Sequence, residues 1–226
     1  MKLYSWWRSQ ASFRVRIALR IKGIEAKLIP CDIARGEHLE ASYRTLNPGG
    51  VLPTLLEADG SPLIQSLAIL EYLEETHPLP PLLPKEPRAR AHVRALAYIA
   101  AVDAHPYVVP RVRRYLNQVF GADEPAWQAW ARHWLEAATE TLETLLVADA
   151  RTGRFCYGDT PSMADVCLVP HVYSATKFFG LALSRFPTVA RIFENAMADK
   201  AFREASPEHE PESAAATRGG ENAGCG

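Results

Sequence analysis

Long apolar runs are missing from this 226-residue chain: no uninterrupted stretch approaches the roughly 20 residues of a membrane-spanning helix. Its start, MKLYSWWRSQ, meets polar and basic residues before any apolar segment of signal-peptide length. The expectation is a soluble, cytoplasmic protein without a membrane partner. An excess of one charge is also missing, since 25 Lys and Arg stand against 26 Asp and Glu, which argues against a nucleic-acid partner. Cysteine is scarce. Cys31, Cys156, Cys167 and Cys225 lie at irregular spacings with no CxxC pair, and the seven histidines form neither HExxH nor HxH. Neither a zinc site nor a disulfide framework is indicated, and the thiols read as structural or incidental, with no metal expected. What remains is globular material, 48% hydrophobic and 23% charged, sufficient for one large or two modest domains.

Two regimes meet at HPLPPLLPKEP, residues 77 to 87, where dense proline stops any helix and suggests an extended linker. Before it, MKLYSW reads as a strand, FRVRIALRIKG as an amphipathic helix ending at Gly23, and AKLIPCDI as a second strand. LPTLLEADGSPLI follows as a hairpin turning at Asp59 and Gly60, then SLAILEYLEETH as a helix capped by Ser66. The order βαβ, then ββα, is thioredoxin-like. After the linker, ARAHVRALAYIAAVDA and EPAWQAWARHWLEAATETLETLLV read as long helices. A third begins near Pro161, where Ser162 and Asp165 have the spacing of a capping box. The Trp127, Trp130, Trp134 series has the period of a buried helix stripe. The predicted fold is an α/β thioredoxin-like domain over residues 1–80 and an all-α bundle over 86–205, followed by a tail, 206–226, too poor in apolar groups to order. Cys225 falls in that tail.

Three segments of the first region carry chemistry. In RSQASFRVRIAL, Ser9 and Ser12 precede a helix whose unpaired N–H groups favour an anion, although a plain cap is the simpler reading. In LNPGGVLPTL, a cis Pro53 before a strand would offer the backbone of Leu52 to an extended peptide. Gln65 and Ser66, at the next helix start, combine an amide, a hydroxyl and helix N–H groups suited to an amino-acid carboxylate.

RSQASFRVRIALRIKGI, LNPGGVLPTL, IQSLAILEYLEETHPLPPLLP and GDTPSMADVCLVPHV, in that order and spacing, resemble the zeta-class glutathione transferases, over roughly residues 1 to 205. That class includes maleylacetoacetate and maleylpyruvate isomerases. The resemblance implies glutathione as cofactor: Ser9 donating to its sulfur beside Gln10 and Ala11, His38 at the glycyl end, Leu52 and Pro53 along the cysteinyl backbone, Gln65 and Ser66 on the γ-glutamyl group, and His105 nearby. Many members read Ser-Ser-Cys where this chain reads Ser9-Gln10-Ala11, so thiol-exchange chemistry is disfavoured while isomerisation, which uses glutathione's own sulfur, is retained.

The substrate implied is a maleyl dicarboxylate, whose two carboxylates need cations. Arg8 precedes Ser9; His105 and Arg111 lie in HPYVVPRVRRYL, read as one helix facing the first domain, and Lys177 follows in the helix after Ser162. Arg8 and Arg111, with Ser9, are the residues expected to act in catalysis. Arg113 and Arg114 read as solvated surface charge. Of Trp6 and Trp7, one packs inward and the other walls the electrophile pocket. A homodimer is implied by the resemblance alone. Two other readings share the glutathione contacts or the fold: a transferase acting on α-haloacids or other small electrophiles, and a non-enzymatic interaction module.

Overall fold

The structure, a computed structural model, describes residues 1–210. It divides into two compact units: Met1–Pro80 together with the segment from Asp199 onward, and Pro81–Ala198. The C-terminal part corrects the sequence reading twice. Residues 199–205, expected in the helical domain, belong to the first unit, and residues 206–210, expected in a disordered tail, are ordered there. The physical reason is a partner rather than hydropathy: the buried Arg16 binds the Ala205 carbonyl at 3.0 Å and the Glu210 carboxylate at 3.2 Å. The rest of the tail, with Cys225, lies outside the described residues.

The first unit is built on a four-stranded sheet in the order β2-β1-β3-β4, with strands β1 Lys2–Ser5, β2 Lys27–Pro30, β3 Thr54–Leu56 and β4 Pro62–Ile64. β1 and β2 are parallel and enclose helix α1, Gln10–Ile21; β3 runs antiparallel to both β1 and β4. Alternation along β1 buries Leu3 completely. Gly23 ends α1 in the left-handed region (φ 63°), where the Ile24 N–H reaches back to the Leu19 carbonyl at 2.8 Å. The hairpin turn forms as its residues require: Asp59 accepts the Ser61 N–H at 2.8 Å and Gly60 has φ 86°. A short helix α2, Ala41–Arg44, which the sequence reading did not separate, precedes the LNPGG loop, and α3, Ser66–Thr76, completes the sheet's partner layer. α9, Lys200–Glu204, packs on α1.

Because α1 meets the sheet, α3 and α9, every residue from Gln10 to Leu19 is buried, including Arg14 and Arg16. A surface helix would keep those arginines wet; here they are interior charges that need partners. Lys22, at the end of α1, is a third, its ammonium satisfied by Glu74 at 2.8 Å and by the carbonyls of His77 at 2.7 Å and Pro80 at 3.0 Å.

The second unit contains α4 Pro87–Tyr98, α5 Pro110–Phe120, α6 Glu124–Ala148, α7 Met163–Lys177 and α8 Pro187–Ala198. Its proline-rich start is not a free spacer, since Leu82 and Leu83 are buried and the Leu82 carbonyl accepts the Met163 N–H at 2.8 Å. At the start of α7 the expected capping box forms. Asp165, wholly buried, accepts from the Ser162 N–H (2.8 Å), the Ser162 hydroxyl (2.7 Å) and the Cys156 N–H (2.8 Å). Burial pushes its carboxyl above the ordinary aspartate range, although those donors oppose the shift. No helix among the described residues is long and apolar enough to cross a membrane.

Candidate active site

Strand register gathers three of the sequence segments at one end of the sheet. Tyr4, Thr54 and Ile64 form a row across β1, β3 and β4. Just beyond that row lie, in turn, the loop Trp6–Ser9 into α1, the Leu52–Pro53 pair into β3, and Gln65–Ser66 into α3.

Ser9 is the N-cap of α1, its Oγ accepting the Ser12 N–H at 3.2 Å. The hydroxyl hydrogen is not used by the cap, so a capping serine keeps a donor to offer. Gln10 and Ala11 are buried, which leaves their backbone N–H groups in the first helical turn as the donors they can offer a ligand. The Leu52–Pro53 peptide is cis, and neither the N–H nor the C=O of Leu52 bonds to another described residue. The loop holding it is braced from behind. Tyr43 donates to the Val51 carbonyl at 2.6 Å and lies 2.7 Å from the Thr54 hydroxyl, while Asn47 Nδ2 reaches the same carbonyl at 2.8 Å. Burial drives the Tyr43 phenol up to about 12, so it stays a neutral donor. His38 is buried in the 3-10 turn Glu37–Leu39, against this loop: a side chain on Gly50, whose φ is 55°, would come within 3.1 Å of the His38 carbonyl oxygen.

The helix start at residue 66 differs from expectation. Ser66 is the first residue inside α3 and Gln65 occupies the N-cap position with φ 70°, the one non-glycine residue among those described with positive φ. Gln65 gives no side-chain cap, and its exposed amide is presented at an uncapped helix N-terminus. Behind Ser66 stands Arg14, with NH1 3.3 Å from Oγ in a buried contact. Sequence reasoning passed over Arg14 because helical periodicity carries no sign that a charge points inward.

Arg8 is exposed in the loop before Ser9, and Trp6 packs beside the cluster of Cys31, Tyr43 and Leu52. The remaining basic candidates belong to the second unit. His105 and Arg111 do not share the single helix expected of them: His105 sits in a 3-10 turn, His105–Tyr107, entered from α4 through a π-helical turn, Ile99–Ala104, and extended backbone at Val109 separates it from α5. Arg111 begins again in α5, exposed in a first turn that no side chain caps. Lys177 is the exposed last residue of α7. Of the expected tryptophan stripe only Trp127 is buried; Trp134 stacks on Tyr107 at 4.5 Å and Trp130 donates to the Tyr107 carbonyl at 2.9 Å. These two rings seat the turn that carries His105.

Residues 8–76 match the family model of the glutathione S-transferase N-terminal domain. The chain is 42% identical over 214 residues to the maleylpyruvate isomerase of a Ralstonia species, covering 95% of this chain and 100% of that protein. The holo structure of a maleylpyruvate isomerase, described as a bacterial glutathione S-transferase of the zeta class, superposes with a TM-score of 0.91 at 41% identity, over 94% of this chain and 99% of the other. The chain belongs to the zeta-class glutathione S-transferases. Its zeta-class relatives include the maleylacetoacetate isomerase of Pseudomonas aeruginosa, 41% identical over 96% of this chain and 100% of that protein. The maleylacetoacetate isomerase of Methylobacterium extorquens AM1, solved with bound malonate and glutathione, is 45% identical with a TM-score of 0.91 over 94% of this chain and 99% of that one.

Proposed function

We propose that this zeta-class protein is a glutathione-dependent cis-trans isomerase of a maleyl dicarboxylate, maleylpyruvate or maleylacetoacetate. The observation that carries the reading is the meeting, at one end of the sheet, of a Ser9 whose hydroxyl hydrogen the cap does not use, the unused backbone of Leu52 and the α3 start at Gln65–Ser66. A γ-glutamyl tripeptide needs those three things in that order: a donor for its thiolate, a strand edge for its middle residue and an anion site for its amino-acid end. The names of full-length relatives support the reaction, and glutathione bound in the Methylobacterium relative supports the cofactor.

When bound, glutathione supplies a sulfur nucleophile that adds reversibly to the activated double bond and so permits its rotation. Ser9 holds that sulfur as thiolate by donating its hydroxyl hydrogen, helped by the N-terminal end of α1. Gln10 and Ala11 contribute backbone N–H groups there. Leu52 pairs with the cysteinyl backbone beside Pro53, His38 serves the glycyl end, and Gln65 and Ser66 hold the γ-glutamyl carboxylate. His105 is assigned to the cofactor and substrate in this reading. Arg8 and Arg111 carry the substrate carboxylates with Lys177 as a third cation; the malonate in the Methylobacterium relative supports a dicarboxylate-binding role for the class. The proposal extends, on family relationship, to a cytoplasmic homodimer serving the breakdown of aromatic compounds.

The deciding experiment follows absorbance of maleylpyruvate, maleylacetoacetate and dichloroacetate side by side, with and without glutathione. Isomerisation of a maleyl substrate at constant glutathione is the expected result. Chloride release from dichloroacetate faster than isomerisation of either maleyl substrate would replace the isomerase by the transferase reading. Failure to bind a glutathione column would leave only an interaction module.

A further inference from the structure

Arg16 is an interior side chain, 2% exposed, and its guanidinium joins two parts of the first unit that are far apart in sequence. On one side Nε donates to the Ala205 carbonyl at 3.0 Å and faces the Glu210 carboxylate at 3.2 Å. On the other, NH1 reaches the Ser5 hydroxyl at 2.9 Å and the Trp6 carbonyl at 3.4 Å, and NH2 the Trp7 carbonyl at 3.2 Å. The Trp6 carbonyl has a second donor, the Ser9 N–H at 3.0 Å. A continuous path therefore runs from Glu210 through Arg16 and Trp6 to the backbone of Ser9.

We infer that Arg16 is a positioning residue through which the C-terminal segment Ala205–Glu210 fixes the loop that aims the Ser9 hydroxyl. This rests on the proposed role of Ser9 toward the glutathione sulfur. A loop of four residues between a strand end and a helix start has few internal bonds, so its carbonyls turn freely unless something holds them. The planar fork of a guanidinium holds two successive carbonyls and a hydroxyl at once, which a lysine ammonium cannot reproduce in that plane. Its charge is balanced by Glu210, which gives the segment after α9 a reason to lie where it does. Arg16 itself touches none of the residues assigned to glutathione. Its effect must pass through the geometry of Ser9.

The test uses the full-length protein in four forms, Arg16→Lys, Glu210→Gln, Ser9→Ala and Arg16→Lys combined with Ser9→Ala, with bound glutathione as the probe. Thiolate absorbance titrates the bound thiol, and amide hydrogen exchange reports the Trp6–Ser9 loop and the Ala205–Glu210 segment. Arg16→Lys is expected to raise the thiol pKa by about half to one unit, a three- to tenfold loss of thiolate at a fixed pH below it, with glutathione affinity within about twofold. In the Ser9→Ala background the same change should add no further shift, since the path ends at Ser9. Glu210→Gln, the milder variant that guards against misfolding, should speed exchange in both segments together.

An unchanged thiol pKa in Arg16→Lys, or a full additional shift on top of Ser9→Ala, would overturn the inference. So would faster exchange confined to the Ala205–Glu210 segment in Glu210→Gln. If Ser9→Ala alone leaves the thiol titration unmoved, the proposed role of Ser9 fails, and the exchange result still decides whether the two segments are coupled.

Discussion

Arg14 directs NH1 at the hydroxyl oxygen of Ser66, 3.3 Å away across the α1–α3 boundary, and neither residue is open to solvent. An oxygen that accepts from a guanidinium turns its own hydrogen the other way, toward whatever sits at the start of α3. The buried positive charge also adds to the partial charge of the helix N-terminus. Under the proposed function, the pair would make a stronger carboxylate site than serine alone.

Replacing Arg14 by methionine should therefore weaken glutathione binding by roughly tenfold, the size expected for one contact with a charged group. Cysteinylglycine, which lacks the γ-glutamyl group, should bind the variant and the parent alike. Calorimetric titration with both ligands checks this, and equal losses for the two would remove Arg14 from the carboxylate site.

Ser9→Ala should slow turnover by roughly tenfold to a hundredfold at neutral pH, as expected for one hydrogen bond to a charged group. Its thiolate titration should move upward in parallel. The helix cap is lost as well, so the melting temperature belongs in the same experiment; a cap is worth about 1 kcal/mol.

Arg111→Ala should raise KM for a dianionic maleyl substrate by roughly one to two orders of magnitude while leaving glutathione affinity and the conjugation of a neutral electrophile nearly unchanged. Steady-state kinetics on charged and neutral substrates separate the two. Equal losses on both would make Arg111 structural.

Cys31, Cys156 and Cys167 are all buried, and burial drives the Cys156 thiol well above its ordinary range, so none is poised as a nucleophile. Activity should survive alkylation once excess reagent is removed and fresh glutathione added. Peptide mapping should find these three thiols unmodified until the protein is unfolded. Complete loss of activity in folded protein would place one of them in the site.

Asp149 gives the sharpest pH dependence on the stability side. Arg151, bonding it through Nε at 2.9 Å and NH2 at 2.7 Å, holds its carboxyl down at about 2. Because the folded value lies below the unfolded one, about 3.9, the stabilisation is complete above about pH 5 and is lost as the pH falls through 2. Arg151 is 47% exposed, so solvent screening limits the effect to about 1 kcal/mol. Asp149→Asn should lower stability by that amount at pH 7 and leave it unchanged near pH 2, as followed by urea unfolding at both.

Local chemistry was legible in the chain. Ser9, Gly23, Asp59, Gly60, Ser162 and Asp165 act on neighbours within five residues in the structure, apart from Asp165, which also takes the Cys156 N–H nine residues away. The three segments proposed for ligand were legible as strand ends or helix starts, and the sheet brings them to one end. What the sequence concealed are partnerships at long range. Arg16 looks like the polar side of an amphipathic helix until Ala205 is known to be its acceptor, 189 residues later. The SPEHE stretch, residues 206–210, looks too polar to order for the same reason. Gln65 displaced Ser66 from the cap because the chain needs a left-handed residue there, and no spacing rule asks a glutamine for that. His105 and Arg111 parted because the 3-10 turn ends at Tyr107 and Val109, the residue before Pro110, is extended, so a new helix starts at that proline.

The backbone of Gln65 has a consequence for how the protein can be improved. A left-handed conformation at a non-glycine residue costs about 1 kcal/mol, and glycine would remove most of that cost. Selection for heat resistance alone should thus discover glycine at position 65 early, and the survivors should hold their tripeptide less firmly. If Gln65 holds the γ-glutamyl end as proposed, glycine there would exchange grip for endurance, so libraries screened by melting temperature need a ligand in the tube.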